Sequence, residues 1–572
     1  MIQKCSKDNL KIFAHPTPET KKLADILECS ELTAGVLEML RGSSDLEILR
    51  EWIKPDFKKQ MQNLNLGEAG ENAKKLWNSK SSFGNVLVYG DYDTDGVCST
   101  VLAMEIFRNK AAQFRYFIPK RDVHGYGLNA DILEKIARIG CNTLVVVDCG
   151  TNDSKMLSQL QSAGVKNIFV FDHHEVSTEI TIPTIVNPYN AGGAHDNENN
   201  DNTQKLCATA VLWCWAWNAE IIPHERLKYD VDLVALATIA DCMPLNSLNR
   251  SLVRYGLHLM RNNPRRGLKA LFECLGINRE QLSEEHLSMR VIPCINAPGR
   301  ISSADISVRA LIGAGNNEAV YSCVNDLMRT NRKRQSLTEN IVREIDDGIN
   351  NNSGHIDQKV MFNSSWPIGV LSGVASRICA QYNRPIALAS QVNKDIIRGT
   401  LRVPEGGNAF NILERISDRL DAWGGHKYAA GFSVLIKNWP SVKNMLEEML
   451  NNIEIQNSDT TPVISIAPSD ITLSDWKAIT ELGPFGNDNP SPKFYTGMNL
   501  SATEINPLGK DNRHSYIKLR NAKLLAFGTP VPDVVRDINK IRGWVYHPRL
   551  DYWQNREQLQ FILDYAVIEG GE

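Results

Sequence analysis

Residues 85–96 read Asn85-Val-Leu-Val-Tyr-Gly-Asp-Tyr-Asp-Thr-Asp-Gly96, a short apolar run that ends in three alternating carboxylates. The apolar part is rich in β-branched residues and bounded by glycine, which predicts a buried strand. Asp91, Asp93 and Asp95 crowd negative charge at the end of that strand, and nearby like charges raise each other's pKa unless a positive charge lies among them. A divalent cation is the simplest such charge. The stretch therefore predicts a metal site on a strand end of an α/β fold.

The same alternation of carboxylates also begins the calcium loop of an EF-hand. That loop requires a bidentate Glu at its twelfth position, where this chain has Leu102. The element before the carboxylates is also predicted to be a strand, whereas an EF-hand loop follows a helix. The EF-hand interpretation is therefore excluded.

The composition indicates a protein of several globular domains. The chain has 572 residues, enough for about three or four domains, and no apolar stretch of about 18 residues that predicts a membrane span. Its N-terminus lacks a signal-peptide pattern, and its 12 cysteines contain no C-x-x-C pair, so we expect reduced thiols and a cytoplasmic protein. The net charge of −3 excludes a uniformly basic nucleic-acid binder, so any such binding must use local patches.

The alternation of apolar runs and polar breaks predicts five regions. They are a helical region at 1–80, an α/β region with a mostly parallel sheet at 81–302, a helical linker at 303–350, a second α/β region at 351–456, and an OB-like β-barrel at 462–572. In the first α/β region the predicted strands are Asn85–Tyr89, Gln113–Ile118, Thr143–Val147, Ile168–Phe171 and Thr184–Val186.

Acidic residues follow several apolar runs of the first α/β region. Asp148 follows Thr143–Val147, Asp172-His173-His174 follows Ile168–Phe171, and Asp241 ends a run that is predicted to be helical. Because parallel strands end at one edge of a sheet, we expect these groups to converge. Carboxylates with imidazole suit Mn²⁺ or Mg²⁺, and two such ions are typical of phosphoester hydrolysis. The alternative for any single Asp is a helix N-cap.

These motifs, in this order, resemble those of the DHH phosphoesterase superfamily. The matching stretches are Asp91–Gly96, Val147–Gly150, Asp172–His174 and Ala240-Asp241, and Gly424–Gly431 resembles the signature of the companion DHHA1 domain. Three further stretches are similar to the RecJ family of single-stranded-DNA exonucleases, and with them the resemblance runs from about residue 80 to the end. They are Pro119–Gly127, Asn296-Ala-Pro-Gly-Arg300 and Gly483–Pro490.

The resemblance implies roles for individual residues. The expected ligands of two Mn²⁺ or Mg²⁺ ions are Asp91, Asp93, Asp95, Asp148, His173 and Asp241. The expected catalytic residues are Asp93, Asp95, Asp148, His173, His174 and Asp241. The expected substrate-binding residues, including a pocket for a 5′-phosphate, are Arg121, Arg300, Arg398, Thr400, Arg402 and His426. Two departures stand out. Tyr89 occupies a position where some members have a ligating His, and Pro298 lies in a stretch that we expect to be a loop, which the proline would stiffen.

The function that the resemblance implies is metal-dependent 5′-to-3′ hydrolysis of single-stranded DNA to 5′-mononucleotides, in repair and recombination. The alternatives are a phosphodiesterase for short oligoribonucleotides or cyclic dinucleotides, and a non-catalytic scaffold. We expect a monomer that binds single-stranded DNA, with a single-strand-binding protein or a helicase as candidate partner and no membrane association. The aromatic residues Tyr516, Trp544, Tyr546 and Trp553 among basic side chains indicate either base-stacking platforms or the core of the small barrel.

Overall fold

The computed structural model describes residues 4–120, 127–190, 205–351, 358–453, 460–498, 504–509, 512–519, 521–536, 538–553 and 556–569. The chain divides into two compact units. Unit 1 comprises residues 1–60, 244–251 and 458–572, and unit 2 comprises residues 61–243 and 252–457. None of the described helices is long and apolar enough to cross a membrane.

The N-terminal segment is mostly helical, as predicted, but begins with two strands that the sequence prediction did not include. Its elements are β1 (Lys4–Ser6), β2 (Leu10–Ala14), α1 (Pro18–Leu27), α2 (Glu31–Arg41), α3 (Leu46–Ile53), α4 (Phe57–Gln62) and α5 (Gly67–Asn78). The first helices begin at hydroxyl caps: the side chain of Thr17 accepts from Thr20 N, and that of Ser30 accepts from Thr33 N.

The first α/β region contains five parallel strands in the order β4-β3-β5-β6-β7. Its elements are β3 (Gly84–Gly90), α6 (Thr94–Phe107), β4 (Ala111–Phe117), α7 (Ala130–Ile139), β5 (Thr143–Val147), α8 (Ser154–Ser162), β6 (Asn167–Phe171), β7 (Ile185–Val186), α9 (Ala208–Asn218), α10 (His224–Leu227) and α11 (Val231–Ala240). All five predicted strands are confirmed. The acidic motifs after β3, β5 and β6 consequently lie at one edge of the sheet.

Helices connect the two α/β regions. They are α12 (Ser247–Asn262), α13 (Arg266–Cys274), α14 (Glu284–His286), α15 (Ile292–Ile301), α16 (Asp305–Ile312) and the long α17 (Asn317–Asn351). The predicted loop around Pro298 is wrong, because Asn296–Arg300 lies inside α15. Pro298 has no N–H, so the interior of this helix lacks the hydrogen bond that residue 298 would otherwise donate to Cys294 O.

The second α/β region forms a mixed sheet in the order β11-β12-β10-β9-β8. Its elements are β8 (Val360–Phe362), α18 (Ile368–Tyr382), β9 (Ile386–Gln391), β10 (Ile396–Arg402), α19 (Ala409–Glu414), β11 (Ala422–His426), β12 (Ala429–Leu435) and α20 (Trp439–Asn451). Gly424, Gly425 and His426 lie in a Gly-rich stretch that the sequence predicts to be a turn, but they belong to the edge strand β11, and the turn follows at residues 427–428.

The C-terminal region and the N-terminal strands share one nine-stranded sheet of unit 1. The C-terminal elements are β13 (Thr461–Ser465), α21 (Leu473–Thr480), β14 (Phe494–Gly497), β15 (Glu504–Leu508), β16 (His514–Lys518), β17 (Lys523–Ala526), α22 (Val531–Val535), β18 (Ile541–Trp553) and β19 (Arg556–Ile568). β2 pairs with β13, and β1 pairs with β19.

The aromatic residues of the C-terminal region do not share one role. Trp544 and Tyr546 are fully buried, so they belong to the core of this region and the interpretation of them as base-stacking platforms is wrong. Tyr516 is partly buried, with Lys523 Nζ 4.9 Å from its ring centroid. The side chain of Trp553 lies outside the described residues.

Candidate metal centre and active site

The carboxylates of the opening motif are held in different ways. Asp93 caps α6, because its Oδ1 accepts a hydrogen bond from Gly96 N at 3.1 Å. Asp93 is therefore a helix N-cap, and this position is also compatible with its binding a metal ion. Asp91 is buried and directly follows β3. The chain turns tightly between Asp91 and Gly96, because a Cβ at Gly96 would lie only 2.4 Å from Asp91 O. A larger residue at position 96 would displace the motif.

Asp95 is fixed by the N-terminus of α9. Its Oδ2 accepts from Ala208 N at 2.6 Å, and its Oδ1 accepts from Thr209 N at 2.8 Å and Thr209 Oγ1 at 2.5 Å. The positive end of a helix dipole and two backbone donors suit a buried carboxylate. The sequence prediction did not include the contact between Thr209 and Asp95. The apolar sequence of α9 does not indicate which acidic residue lies at the N-terminus of this helix.

Asp148 follows β5 in a left-handed backbone conformation, with φ of 61°. Such a conformation is uncommon for residues other than glycine and is concentrated at functional sites. The residue is buried, and its N–H donates to Phe171 O at 3.0 Å. This bond ties the end of β5 to the end of β6, so the backbone geometry brings Asp148 next to the two histidines.

Asp172 orients the two histidines that follow it. Its Oδ1 accepts from His173 N at 2.8 Å and lies 2.7 Å from His174 Nδ1, and its Oδ2 accepts from Thr151 N at 3.0 Å. Burial alone would raise the pKa of Asp172, but the hydrogen bond from His174 and its charge outweigh burial and lower the pKa. The sequence prediction assigns no role to Asp172. The structure places it behind the histidines as their anchor.

The imidazole of His173 lies among three carboxylates. Its Nε2 is 3.3 Å from Asp148 Oδ1, 3.5 Å from Asp241 Oδ2 and 3.9 Å from Asp95 Oδ2. Burial lowers the pKa of His173, although the charge of Asp95 opposes this effect. A neutral imidazole is the form that binds a metal ion.

Three groups of ligand atoms share Asp148, and within each group the atoms lie within 4.8 Å of one another. One group contains Asp95, Asp148, His173 and Asp241, and a second contains Asp91, Asp93 and Asp148. The third, Asp148 with His173 and His174, overlaps the first. Burial raises the pKa of Asp148 and of Asp241 well above the ordinary value, and repulsion from Asp95 and Asp93 raises both further. Divalent cations among these oxygen atoms would offset that repulsion. The donor set therefore fits hard divalent ions such as Mn²⁺ or Mg²⁺.

All of these ligand residues except the buried Asp95 line a cavity of about 420 Å³ in unit 2. Arg300 and His426, both predicted to bind substrate, lie on its wall, as does His174. Arg300 Nη1 donates to Ser372 Oγ at 2.9 Å. Asn296 also lines the cavity and accepts from Thr94 Oγ1 at 2.8 Å, a role that the sequence prediction did not assign.

The other predicted substrate-binding residues lie elsewhere. Arg398, Thr400 and Arg402 alternate along β10 and so share one face of its sheet, and none of them is among the residues that line the cavity. Arg121 lies outside the described residues. Tyr89, expected near the metals by comparison with the superfamily, points into the core, where its hydroxyl donates to Gly127 O at 2.9 Å.

Family models match three parts of the chain. They are the DHH family N-terminal domain at residues 85–238, the DHHA1 domain at residues 357–454 and the RecJ OB domain at residues 464–565. The chain therefore carries a DHH domain, a DHHA1 domain and a C-terminal RecJ OB domain. Among proteins with these domains, it is similar to RecJ exonucleases over nearly its whole length.

The single-stranded-DNA-specific exonuclease RecJ of Bacillus subtilis is 28% identical over 582 residues, which span 98% of this chain and 71% of the relative. The RecJ of Thermus thermophilus is 28% identical over 77% of this chain and 63% of its own length. The crystal structure of RecJ in complex with Mn²⁺ from T. thermophilus superposes with a TM-score of 0.78 at 23% identity, over 99% of this chain and 81% of that one, and shows the same fold. A structure of exonuclease RecJ bound to manganese is 28% identical, with a TM-score of 0.56, over 69% of this chain and 97% of that one.

Proposed function

We propose that this protein is a metal-dependent exonuclease that hydrolyses single-stranded DNA from the 5′ end to 5′-mononucleotides. The observation that carries the proposal is the pair of ligand groups that share Asp148 beside a cavity lined by Arg300 and His426. The named RecJ relatives and the OB domain support single-stranded DNA as the substrate. Two divalent ions bound in these groups would activate water and neutralise charge on the phosphate.

The side chains around the cavity supply positioning and proton transfer. Asp172 holds His174 through Nδ1, so Nε2 is the nitrogen available to a substrate. Burial alone would lower the pKa of His174, but the hydrogen bond with Asp172 raises it above the usual value. A protonated His174 suits donation of a proton to the leaving 3′-oxygen. Arg300, fixed by Ser372, would bind a non-bridging phosphate oxygen.

The site assignments follow the first two ligand groups. We assign Asp91, Asp93 and Asp148 to one ion, and Asp95, Asp148, His173 and Asp241 to the other, with Asp148 bridging. We assign Arg398, Thr400 and Arg402 to binding of the 5′-phosphate, because a guanidinium beside hydroxyl groups suits a phosphate dianion. We also assign Arg121 to binding of the 5′-phosphate.

The cellular setting follows from the substrate. A nuclease of single strands acts where a helicase or a single-strand-binding protein presents them, so we propose one of these as partner, a role in repair and recombination, and action as a monomer. All 12 cysteines are free thiols, which agrees with the proposed cytoplasmic location. We retain the predicted domain boundaries as part of this proposal.

The decisive experiment uses 5′-phosphorylated single-stranded DNA with a 3′-terminal fluorophore and Mn²⁺. The wild-type protein should release 5′-mononucleotides progressively, whereas Asp148→Ala should release none. Asp418→Ala is the matched control, because Asp418 is exposed and forms an ion pair with the neighbouring Arg419. Wild-type activity no greater than that of Asp148→Ala would refute the proposal, and faster cleavage of a dinucleotide than of a long strand would favour a phosphodiesterase for short substrates.

A further inference from the structure

The carboxylate of Asp95 accepts three hydrogen bonds from the first residues of α9. Its Oδ1 accepts two of them, from Thr209 N at 2.8 Å and from Thr209 Oγ1 at 2.5 Å, and its Oδ2 accepts one, from Ala208 N at 2.6 Å. A carboxylate has about four lone-pair sites, two on each oxygen. Both sites on Oδ1 are therefore filled, and one site remains on Oδ2.

The hydroxyl group of Thr209 has a single proton, and its surroundings direct that proton to Asp95 Oδ1. Another acceptor near this hydroxyl is Asp95 O, at 3.2 Å, but that oxygen already accepts from Ser99 Oγ at 2.7 Å. Both Thr209 and Asp95 are fully buried, where a hydrogen bond to a charged acceptor is strong. The bond holds Oδ1 against α9, and Oδ2 lies on the side of the other ligands, 3.9 Å from His173 Nε2.

Only one of these three donors depends on the identity of a side chain. Backbone N–H groups are present at positions 208 and 209 with every residue type except proline. The third donor exists because residue 209 is a threonine, which has a hydroxyl group. A residue without a hydroxyl group at this position would leave one site open on Asp95 Oδ1, in addition to the site that remains on Oδ2. The carboxylate could then bind a metal ion through both oxygens.

We propose that Thr209 is a positioning residue that determines which divalent ion the metal centre selects, because it restricts Asp95 to one coordinating oxygen. The ligand group that contains Asp95 and His173 then offers one atom from each of its four residues. An octahedral Mg²⁺ or Mn²⁺ ion keeps its remaining positions for water and a substrate oxygen. Ca²⁺ is larger and takes more oxygen ligands, including both oxygens of one carboxylate, so the filled Oδ1 disfavours it. The inference rests on the proposed function and deepens it, because it names the residue through which that site discriminates among metal ions.

The experiment removes the hydroxyl group and keeps both backbone donors. Calorimetric titration of metal-free Thr209→Ala with Ca²⁺ alone, and separately with Mn²⁺ alone, measures the two affinities. We expect the ratio of Ca²⁺ affinity to Mn²⁺ affinity to rise about tenfold above the wild-type ratio, the lower end of the usual effect of a group behind a metal ligand. Ca²⁺ should consequently inhibit Mn²⁺-dependent cleavage at a lower concentration than in the wild type. Thr209→Ser, which keeps a hydroxyl group, should retain the wild-type ratio.

Thr100→Ala is the matched control. Thr100 is also a fully buried threonine, in α6, but its hydroxyl group has no hydrogen-bond partner among the residues that the structure describes. An unchanged ratio in Thr209→Ala, with or without a loss of both affinities, or an equal rise in the control, would overturn the inference and leave the proposed function intact. A wild-type protein that binds Mn²⁺ but cleaves no single-stranded DNA would instead refute the proposed function. If Thr209→Ala does not fold, Thr209→Val gives the same comparison, because it lacks the hydroxyl group and keeps the size of the side chain.

Discussion

Asp148 lowers the stability of the fold, yet the proposed function requires it. Its left-handed backbone, burial and acidic neighbours all destabilise the metal-free fold, yet it belongs to every ligand group. The sequence predicted the residue type, because an acid after a strand of a parallel sheet is recognisable. It could not predict the backbone strain or the contacts of Thr209 and Asp172, because these depend on packing between distant segments.

Replacing Asp148 by glycine should therefore stabilise the metal-free protein and abolish its activity. Glycine relieves the left-handed backbone, and the substitution removes a buried charge, so we expect a gain of about 1 kcal/mol in unfolding free energy. Chemical denaturation with chelator, together with the nuclease assay, measures both effects. Glu28→Gly is the control, since Glu28 also has a left-handed backbone, with φ of 53°, but lies at the end of α1. It should gain stability and keep activity. A destabilised Asp148→Gly would contradict the prediction.

The Asp172–His174 pair should make stability depend on pH in a defined window. The pKa of Asp172 is lowered in the fold, so its contribution is lost as pH falls below the unfolded value of about 3.9. The pKa of His174 is raised, so its contribution is complete below about 6.5 and lost as pH rises past the folded value. The pair therefore stabilises most between these two limits. The difference in unfolding free energy between the metal-free wild type and His174→Asn should peak there, and a difference that does not vary with pH would exclude this coupling.

Among the elements, the strands of the parallel sheet were predictable because each is a short apolar run between polar breaks. α15 was not, because its Pro298 and Gly299 both disfavour a helix. Packing explains Gly299: a Cβ there would lie 2.2 Å from Tyr92 O, in the middle of the carboxylate motif. α15 thus approaches the metal centre closely only because position 299 has no side chain.

Gly299→Ala should consequently push α15 away from the carboxylate motif. We expect a loss of about 2 kcal/mol in unfolding free energy, together with weaker Mn²⁺ binding, because a backbone oxygen cannot move aside cheaply. Gly373→Ala is the matched control, since Gly373 lies inside α18 and its Cβ would meet nothing within 4 Å. That variant should instead gain up to about 1 kcal/mol, the helix propensity of alanine over glycine. Calorimetric titration and thermal melts compare the two, and equal behaviour would disprove the packing argument.

For the whole molecule, the sequence identified the three domain types but not the use of the N-terminus. β1 and β2 are only three and five residues long, and they pair with strands more than 400 residues away along the chain. The local sequence of a short strand does not indicate which distant strand it pairs with. Leu10 packs in a small core with Val463, Val545 and Val567, so the N-terminal strand contributes to the stability of unit 1.

Leu10→Ala should destabilise unit 1 by about 2–3 kcal/mol, the cost of a cavity in a buried core. Lys11→Ala on the same strand is exposed and should change stability by less than about 0.5 kcal/mol. Mn²⁺ affinity should be the same in both variants, because the metal ligands all belong to unit 2. Hydrogen exchange resolved by segment reports the loss of protection in β13, and loss confined to unit 2 would contradict the prediction.

The short segment 244–251 belongs to unit 1, although the residues on either side of it belong to unit 2. The chain therefore passes between the units four times, after residues 60, 243, 251 and 457. Unit 1 cannot be encoded by one continuous stretch of gene, whereas the stretch for residues 61–457 contains all of unit 2 together with the eight residues 244–251 of unit 1. A chain break between residues 61 and 457 would divide both units, so a simple fusion cannot exchange unit 1 for another domain.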